Sequence, residues 1–178
     1  MVERPLILTG FMGSGKSSVG KVLAERLGFH FVDLDSEITI LAECSINDIF
    51  ARYGELVFRV LETSRLEQIL SEGAGKVIAT GGGVVVSEQN RTLMRNAGIV
   101  INLNVSLEQV LIRLAESSDR PLLAGDDVAK RAILLMNERE HFYADADIRI
   151  DTDGKSVEDV AIEILCRLKG FFSERTDR

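Results

Sequence analysis

The sequence predicts an α/β protein of three layers, with a central five-stranded parallel sheet between two layers of helices. Two observations carry this. Strand-like apolar runs alternate with helix-like stretches along all 178 residues, and strands separated by helices pair in parallel through right-handed crossovers. The first such run, Arg4–Thr9, is followed at once by Gly10-Phe11-Met12-Gly13-Ser14-Gly15-Lys16-Ser17, a glycine-rich turn that opens a helix. Glycines of that spacing let successive backbone N–H groups close around an anion, and the helix N-terminus adds its partial positive charge.

The elements follow in order. The helix Lys16–Leu27 ends at Gly28, a C-terminal stop. Phe29–Leu34 is the second strand. Ser45 caps a helix running to about Tyr53, and Glu55–Glu72 is a longer one with Leu56, Val60, Leu61, Ile69 and Leu70 on its expected apolar stripe. Lys76–Thr80 is the third strand, Ser87–Asn96 a helix, and Gly98–Leu103 a continuously apolar fourth strand. Ser106-Leu107-Glu108-Gln109 is a capping box for the next helix. Ser117–Asp127 is irregular, Val128–Phe142 helical, Asp147–Ile150 the fifth strand, and Val157–Lys169 a last helix capped by Ser156.

Hydrophobic residues make up 46% of the chain, only two prolines occur, and no Pro- or Ser-rich linker interrupts it, so residues 1–178 read as one domain with a full core. Cys44 and Cys166 lack disulfide or metal-ligand patterning and are expected to be buried or half-buried thiols. The net charge is −7 without a basic stripe, which argues against nucleic acid and anionic membrane as partners. No stretch is long and apolar enough for a membrane span, and a cleaved leader would remove the glycine-rich turn. A cytoplasmic location is therefore expected.

In a parallel sheet ligands bind beyond the carboxyl ends of the strands. The first strand ends in the phosphate loop, where Gly13, Ser14, Gly15, Lys16, Ser17 and Ser18 are the expected ATP contacts, Lys16 reaching the β- and γ-phosphates and Ser17 ligating Mg²⁺. The second ends in Asp33-Leu34-Asp35, whose spacing by two puts both carboxylates on one side of an extended segment, beside metal and phosphates. The third ends in Gly81-Gly82-Gly83, which suggests close approach of another molecule or a backbone anion nest. Arg59 could be a surface partner of Glu55 and Glu62, Arg139 could sit on a solvated face, and Arg120 in the irregular stretch has the form of a lid residue that closes on phosphate.

With these motifs in their order, the chain resembles the shikimate kinase family from about Leu6 to Leu168. The resemblance rests on Gly10–Ser17, Asp33-Leu34-Asp35, Phe58-Arg59 with Glu62, Gly81–Gly83, Arg120-Pro121-Leu122-Leu123, and Arg139 with Tyr143. It implies an enzyme, a phosphotransferase that moves a phosphoryl group from MgATP to the 3-hydroxyl of shikimate on the way to chorismate and the aromatic amino acids. It implies that Asp35 binds the shikimate hydroxyls and takes a proton, that Arg59 and Arg139 clamp the carboxylate, and that Gly81, Gly82 and Gly83 line the ring. Arg113 would stack on adenine, the 151–155 segment with Lys155 would form the adenine loop, Asp33 would hold the metal's water shell, and Arg120 would close with a lid of about 116–126 over a helical substrate-binding insertion of about 33–62. The expected state is a monomer whose partners are small molecules.

Two other readings bear on the same residues. A gluconate kinase or nucleoside-monophosphate kinase shares the phosphate loop and lid arginine but has no need for Asp35, Arg59, Gly81–Gly83 and Arg139 together. A GTP-dependent switch finds only an isolated Asp-x-x-Gly at Asp151–Gly154, without the Asn-Lys-x-Asp guanine motif that should follow.

Overall fold

Five parallel strands form one sheet in the order β2-β3-β1-β4-β5: β1 is Leu6–Thr9, β2 His30–Asp33, β3 Lys76–Ala79, β4 Ile99–Asn104 and β5 Ile148–Asp151. The computed structural model describes residues 4–115 and 128–176. The expected lid and Arg120 lie outside the described residues. Because β1 sits between β3 and β4, the chain must reverse its winding there, and such a point opens a crevice at the carboxyl ends of the strands. Strands β1 and β3 are buried throughout, as their continuous Val, Ile and Leu runs require.

Among the described residues seven helices surround the sheet: α1 Lys16–Leu27, α2 Leu34–Ala42, α3 Ile46–Ser71, α4 Glu88–Ala97, α5 Leu107–Ala115, α6 Val128–Tyr143 and α7 Val157–Thr176. The core splits at the sheet. One half packs α1 and α7 through Leu6, Leu8, Val19, Leu23, Ile101 and Ile164. The other half packs α2, α3 and α4 through Ile7, Leu34, Ile38, Phe58, Leu66, Ile78 and Met94.

Five local expectations are corrected. Leu34, expected to end the second strand, and residues 35–42, not assigned to any element by their pattern, form α2, because the Asp33 carboxylate accepts from Ser36 N and caps the helix. Asp35 therefore lies in a first helical turn and not on an extended segment. The two expected helices of the 46–71 region join across a kink at Gly54, whose φ of 81° and ψ of 170° suit glycine alone. On the second half of α3 the inward face is Phe58, Glu62, Leu66, Ile69 and Leu70, whereas Leu56 and Val60 are 84% and 69% exposed. Cys166 is exposed, because α7 turns Val160, Ala161, Ile164 and Leu168 inward instead.

Candidate active site

The turn after β1 wraps a cavity of about 450 Å³ lined by Gly13, Ser14, Gly15, Lys16, Ser17 and Ser18, by Asp33, Asp35, Thr80 and Gly82, and at its far end by Arg113, Thr152, Lys155 and Ser156. Gly15 at the head of α1 is left-handed, so the chain turns directly from loop to helix. Lys16 is largely buried and its Nζ donates to Gly10 O at 2.8 Å and Phe11 O at 2.9 Å, stretching the ammonium across the loop. Ser17 Oγ donates to Asp33 Oδ2 at 2.6 Å, which brings a hydroxyl and a carboxylate together beside the loop. Arg113 Nη1 donates to Gly13 O at 2.6 Å, and Lys155 Nζ to Asp151 O at 2.9 Å and Glu163 Oε2 at 2.7 Å. The buried Thr152 donates its hydroxyl to Asn104 O at 2.8 Å, which ties this end of the cavity to β4.

A second cavity of about 190 Å³ adjoins the first, lined by Asp35, Arg59, Glu62, Gly81, Gly82, Gly83 and Arg139 with Met12, Ile46, Phe50 and Phe58. Asp35 and Gly82 line both cavities and mark where they meet. One compartment is polar and wrapped by the glycine-rich turn; the other has two guanidiniums, the carboxyl groups of Asp35 and Glu62, and an aromatic wall in which Phe50 and Phe58 lie 4.9 Å apart.

The three glycines are required for room. A Cβ on Gly81 would stand 2.7 Å from Asp35 Oδ1, and one on Gly83 only 2.4 Å from Arg59 Nη2. None of the three has a positive φ, so close packing and not backbone contortion selects them: charged side chains crowd Gly81 and Gly83, and the Met12 backbone N would lie 3.2 Å from a Cβ on Gly82. A Gly83→Ala protein is expected to melt within a few degrees of the parent, since only the flexible end of Arg59 must shift. Displacing that guanidinium should nevertheless raise the KM for an anionic acceptor about tenfold, by loss of one charge-assisted bond, with nucleotide KM unchanged. Thermal melts and two-substrate kinetics check both halves.

Arg59 does meet Glu55 at 3.0 Å and Glu62 at 2.8 Å, as a surface reading would have it, but its side chain is only 20% exposed and it faces the second cavity. Burial opposes the charge of Arg59, and its two glutamates outweigh that, holding its pKa above the ordinary value. Glu62 is fully buried. Burial pushes its pKa up from 4.5; Arg59 and Arg139 pull it down, and Asp35 adds to the rise.

This shift has a sign in stability. A carboxyl whose folded pKa is raised binds its proton more tightly in the native state. The stability from Glu62 is thus fully present below its ordinary value of 4.5 and is lost as pH rises through the raised one. Glutamine mimics the protonated form at every pH. The melting temperature of Glu62→Gln minus that of the parent should therefore increase as pH is raised from about 4.5 to 7, the two curves converging toward acid.

The structure brings nearly every described residue expected from the sequence into this pair of cavities, Arg139 included: it is buried, with Nη1 3.3 Å from Gly82 O. Three contributors were not singled out as site residues. Glu62 falls at the third position after Arg59, on the same helix face as Phe58, Leu66 and Ile69, and that periodicity points it inward. Tyr143, one turn after Arg139, donates its hydroxyl to Gly82 O at 2.5 Å. Thr152 fell within the expected adenine loop of residues 151–155 but was not named in it.

Comparison with known proteins agrees with this geometry. The family model described as shikimate kinase matches residues 12–169. A shikimate kinase of Geobacter metallireducens is 54% identical over 94% of this chain and 93% of its own. The solved shikimate kinase from Acinetobacter baumannii in complex with shikimate superposes with a TM-score of 0.91 at 34% identity, covering 94% of each chain. A gluconokinase from Sinorhizobium meliloti reaches a TM-score of 0.58 at 15% identity over 97% of this chain and 98% of its own, which shows a shared fold alone. With the phosphate loop, the paired cavities and these similarities together, the chain belongs to the shikimate kinase family.

Proposed function

We propose that the protein transfers the γ-phosphoryl group of ATP to the 3-hydroxyl of shikimate, giving shikimate 3-phosphate and ADP. The observation that carries this is the meeting of a triphosphate cradle and a small, doubly cationic cavity at Asp35 and Gly82. Shikimate is a ring acid with hydroxyls along one edge. Arg59 and Arg139 supply charge-assisted donors for its carboxylate, Phe50 and Phe58 an apolar wall, and Asp35 an acceptor for the hydroxyls at the border with the nucleotide.

The reaction then follows from position. The acceptor oxygen forms the new P–O bond, the bond from the γ-phosphorus to the β,γ-bridging oxygen breaks, and the hydroxyl proton passes to Asp35 and on to solvent. Lys16 releases its loop carbonyls and neutralises charge on the β- and γ-phosphates. Arg113, Thr152, Lys155 and Ser156 bound the end of the cavity where the adenine would lie, and Arg120 would add its charge from the segment outside the described residues. The Ser17–Asp33 pair is an all-oxygen donor set suited to Mg²⁺, which keeps most of its shell as water and phosphate. Bound there, Mg²⁺ would supply charge neutralisation on the triphosphate.

The expected state is a monomer acting on small molecules. Use of ATP fits the cytoplasmic location expected above, and no helix among the described residues is long and apolar enough to cross a membrane. The test is ADP release with Mg²⁺ across a panel of acceptors: shikimate should be turned over, and gluconate and nucleoside monophosphates should not. Turnover of one of those with shikimate inert would reject the reading. Arg59→Ala and Arg139→Ala should each weaken shikimate binding by ten- to a hundredfold, as expected for a lost charged pair of about 1.5–3 kcal/mol, and leave nucleotide affinity within about twofold. Calorimetric titration of both ligands checks this.

A further inference from the structure

The Gly82 carbonyl, at the border of the two cavities, has two donors. The Tyr143 hydroxyl lies 2.5 Å away, and Arg139 Nη1 lies 3.3 Å away, the outer limit of a hydrogen bond. Both donors come from α6, one turn apart. Tyr143 is buried and lines no part of the acceptor cavity, so it can act there only through Gly82 and Arg139. Burial pushes its phenol up to about 12, Arg139 pulling the other way through charge and a hydrogen bond, so the hydroxyl stays a donor at neutral pH.

The rest of this turn is held in the same way. Beyond Gly83 the chain forms a single 3-10 turn, Val84–Val86. Asn90 Nδ2 donates to Val84 O at 3.2 Å, and Arg91 Nη1 donates to Val85 O at 2.6 Å and Val86 O at 3.1 Å. Arg91 also lies over the Phe142 ring, 4.3 Å from its centroid, next to Tyr143. Gly81 O and Gly83 O accept from Val84 N and Val86 N, while the Gly82, Val84, Val85 and Val86 carbonyls are held by side chains of α4 and α6; among these donors only Arg139, at Gly82, also faces the acceptor cavity.

We propose that Tyr143 is a positioning residue for acceptor binding: by satisfying the Gly82 carbonyl, it keeps the Arg139 guanidinium from being drawn onto the backbone and leaves its charge for the acceptor's carboxylate. Without the hydroxyl, Arg139 is the one side-chain donor left to this part-buried carbonyl among the described residues, and an acceptor left half-satisfied draws its remaining donor inward. The guanidinium would then be committed to Gly82. The inference rests on the shikimate reading above.

Tyr143→Phe tests it with little change of shape. The KM for shikimate should rise about tenfold, by loss of one buried charge-assisted arrangement, while the KM for ATP stays within about twofold. In an Arg139→Ala background the same substitution should add less than a further twofold, because the two residues act as one unit. A second readout does not depend on that variant. The chain has only two tyrosines, Tyr53 and Tyr143, so replacing tyrosine throughout by 3-fluorotyrosine gives two ¹⁹F resonances, assigned with Tyr53→Phe. The Tyr143 resonance should shift when shikimate is added. A Phe variant that melts lower but keeps the parent's KM, or a resonance that saturating shikimate leaves unmoved, would overturn the proposal and leave the functional reading intact. Parent enzyme inert toward shikimate would overturn the functional reading, and this proposal with it.

Discussion

Asp35→Asn is expected to lower kcat by about 10²–10⁴-fold, the usual worth of a positioned proton acceptor. Asparagine keeps the shape of the side chain and can still orient a hydroxyl, but it cannot take the proton that must leave as the new P–O bond forms. The fold should not suffer. Asp35 is one cause of the raised Glu62 pKa, so removing its charge relieves a repulsion inside the site and the melting temperature should hold or rise. Single-turnover kinetics alongside thermal melts separate the chemical step from unfolding. Near-normal turnover in the folded variant would show that Asp35 only orients the acceptor, as a loose transition state would allow.

Lys16→Ala is the other large effect. Removing one preorganised cation from the developing charge should cost about 10²–10³-fold in kcat, with weaker ATP binding besides. The ammonium also bridges the buried Gly10 O and Phe11 O, but the loop keeps its backbone bonds from Ser14 N to Phe11 O and from Val19 N to Gly15 O, so it should stay folded. Ligand-free melts should shift little, whereas the stabilisation that ATP confers on the parent should largely vanish. Retention of that ligand-induced shift would mean that the backbone N–H groups alone hold the triphosphate.

These two residues also show what was legible beforehand. Lys16 belongs to a contiguous motif whose geometry is local: glycines, a turn and a helix start within eight residues. Asp35 was found for its place at a strand end, although the extended backbone assumed for it was wrong. Asp33 caps α2 and starts a helix there, and Asp35 still borders both cavities because the first turn of that helix lies beside Gly81. Arg59 was open to a surface reading, since Glu55 and Glu62 at helical spacing explain it equally well. Only the burial of Glu62 and the contact with Gly83 place it in a site. The exposed Leu56 and Val60 illustrate the same limit: Leu61, Ile69 and Leu70 of the expected stripe do pack inward, but a glutamate paired with an arginine takes an inward position on α3 while Leu56 and Val60 face outward.

The sequence by itself therefore determined the α/β class, the five parallel strands, the phosphate loop and the chemical types gathered at the strand ends, because backbone periodicity and turn chemistry are encoded by neighbours along the chain. Only the tertiary structure decided that Glu62 is buried, that Tyr143 and Arg139 share the Gly82 carbonyl, and that the two cavities meet at Asp35. Those contacts join residues as many as 61 positions apart, and the strand order β2-β3-β1-β4-β5 brings them together. Such meetings follow from how helices pack across a sheet, which no local stretch of sequence specifies.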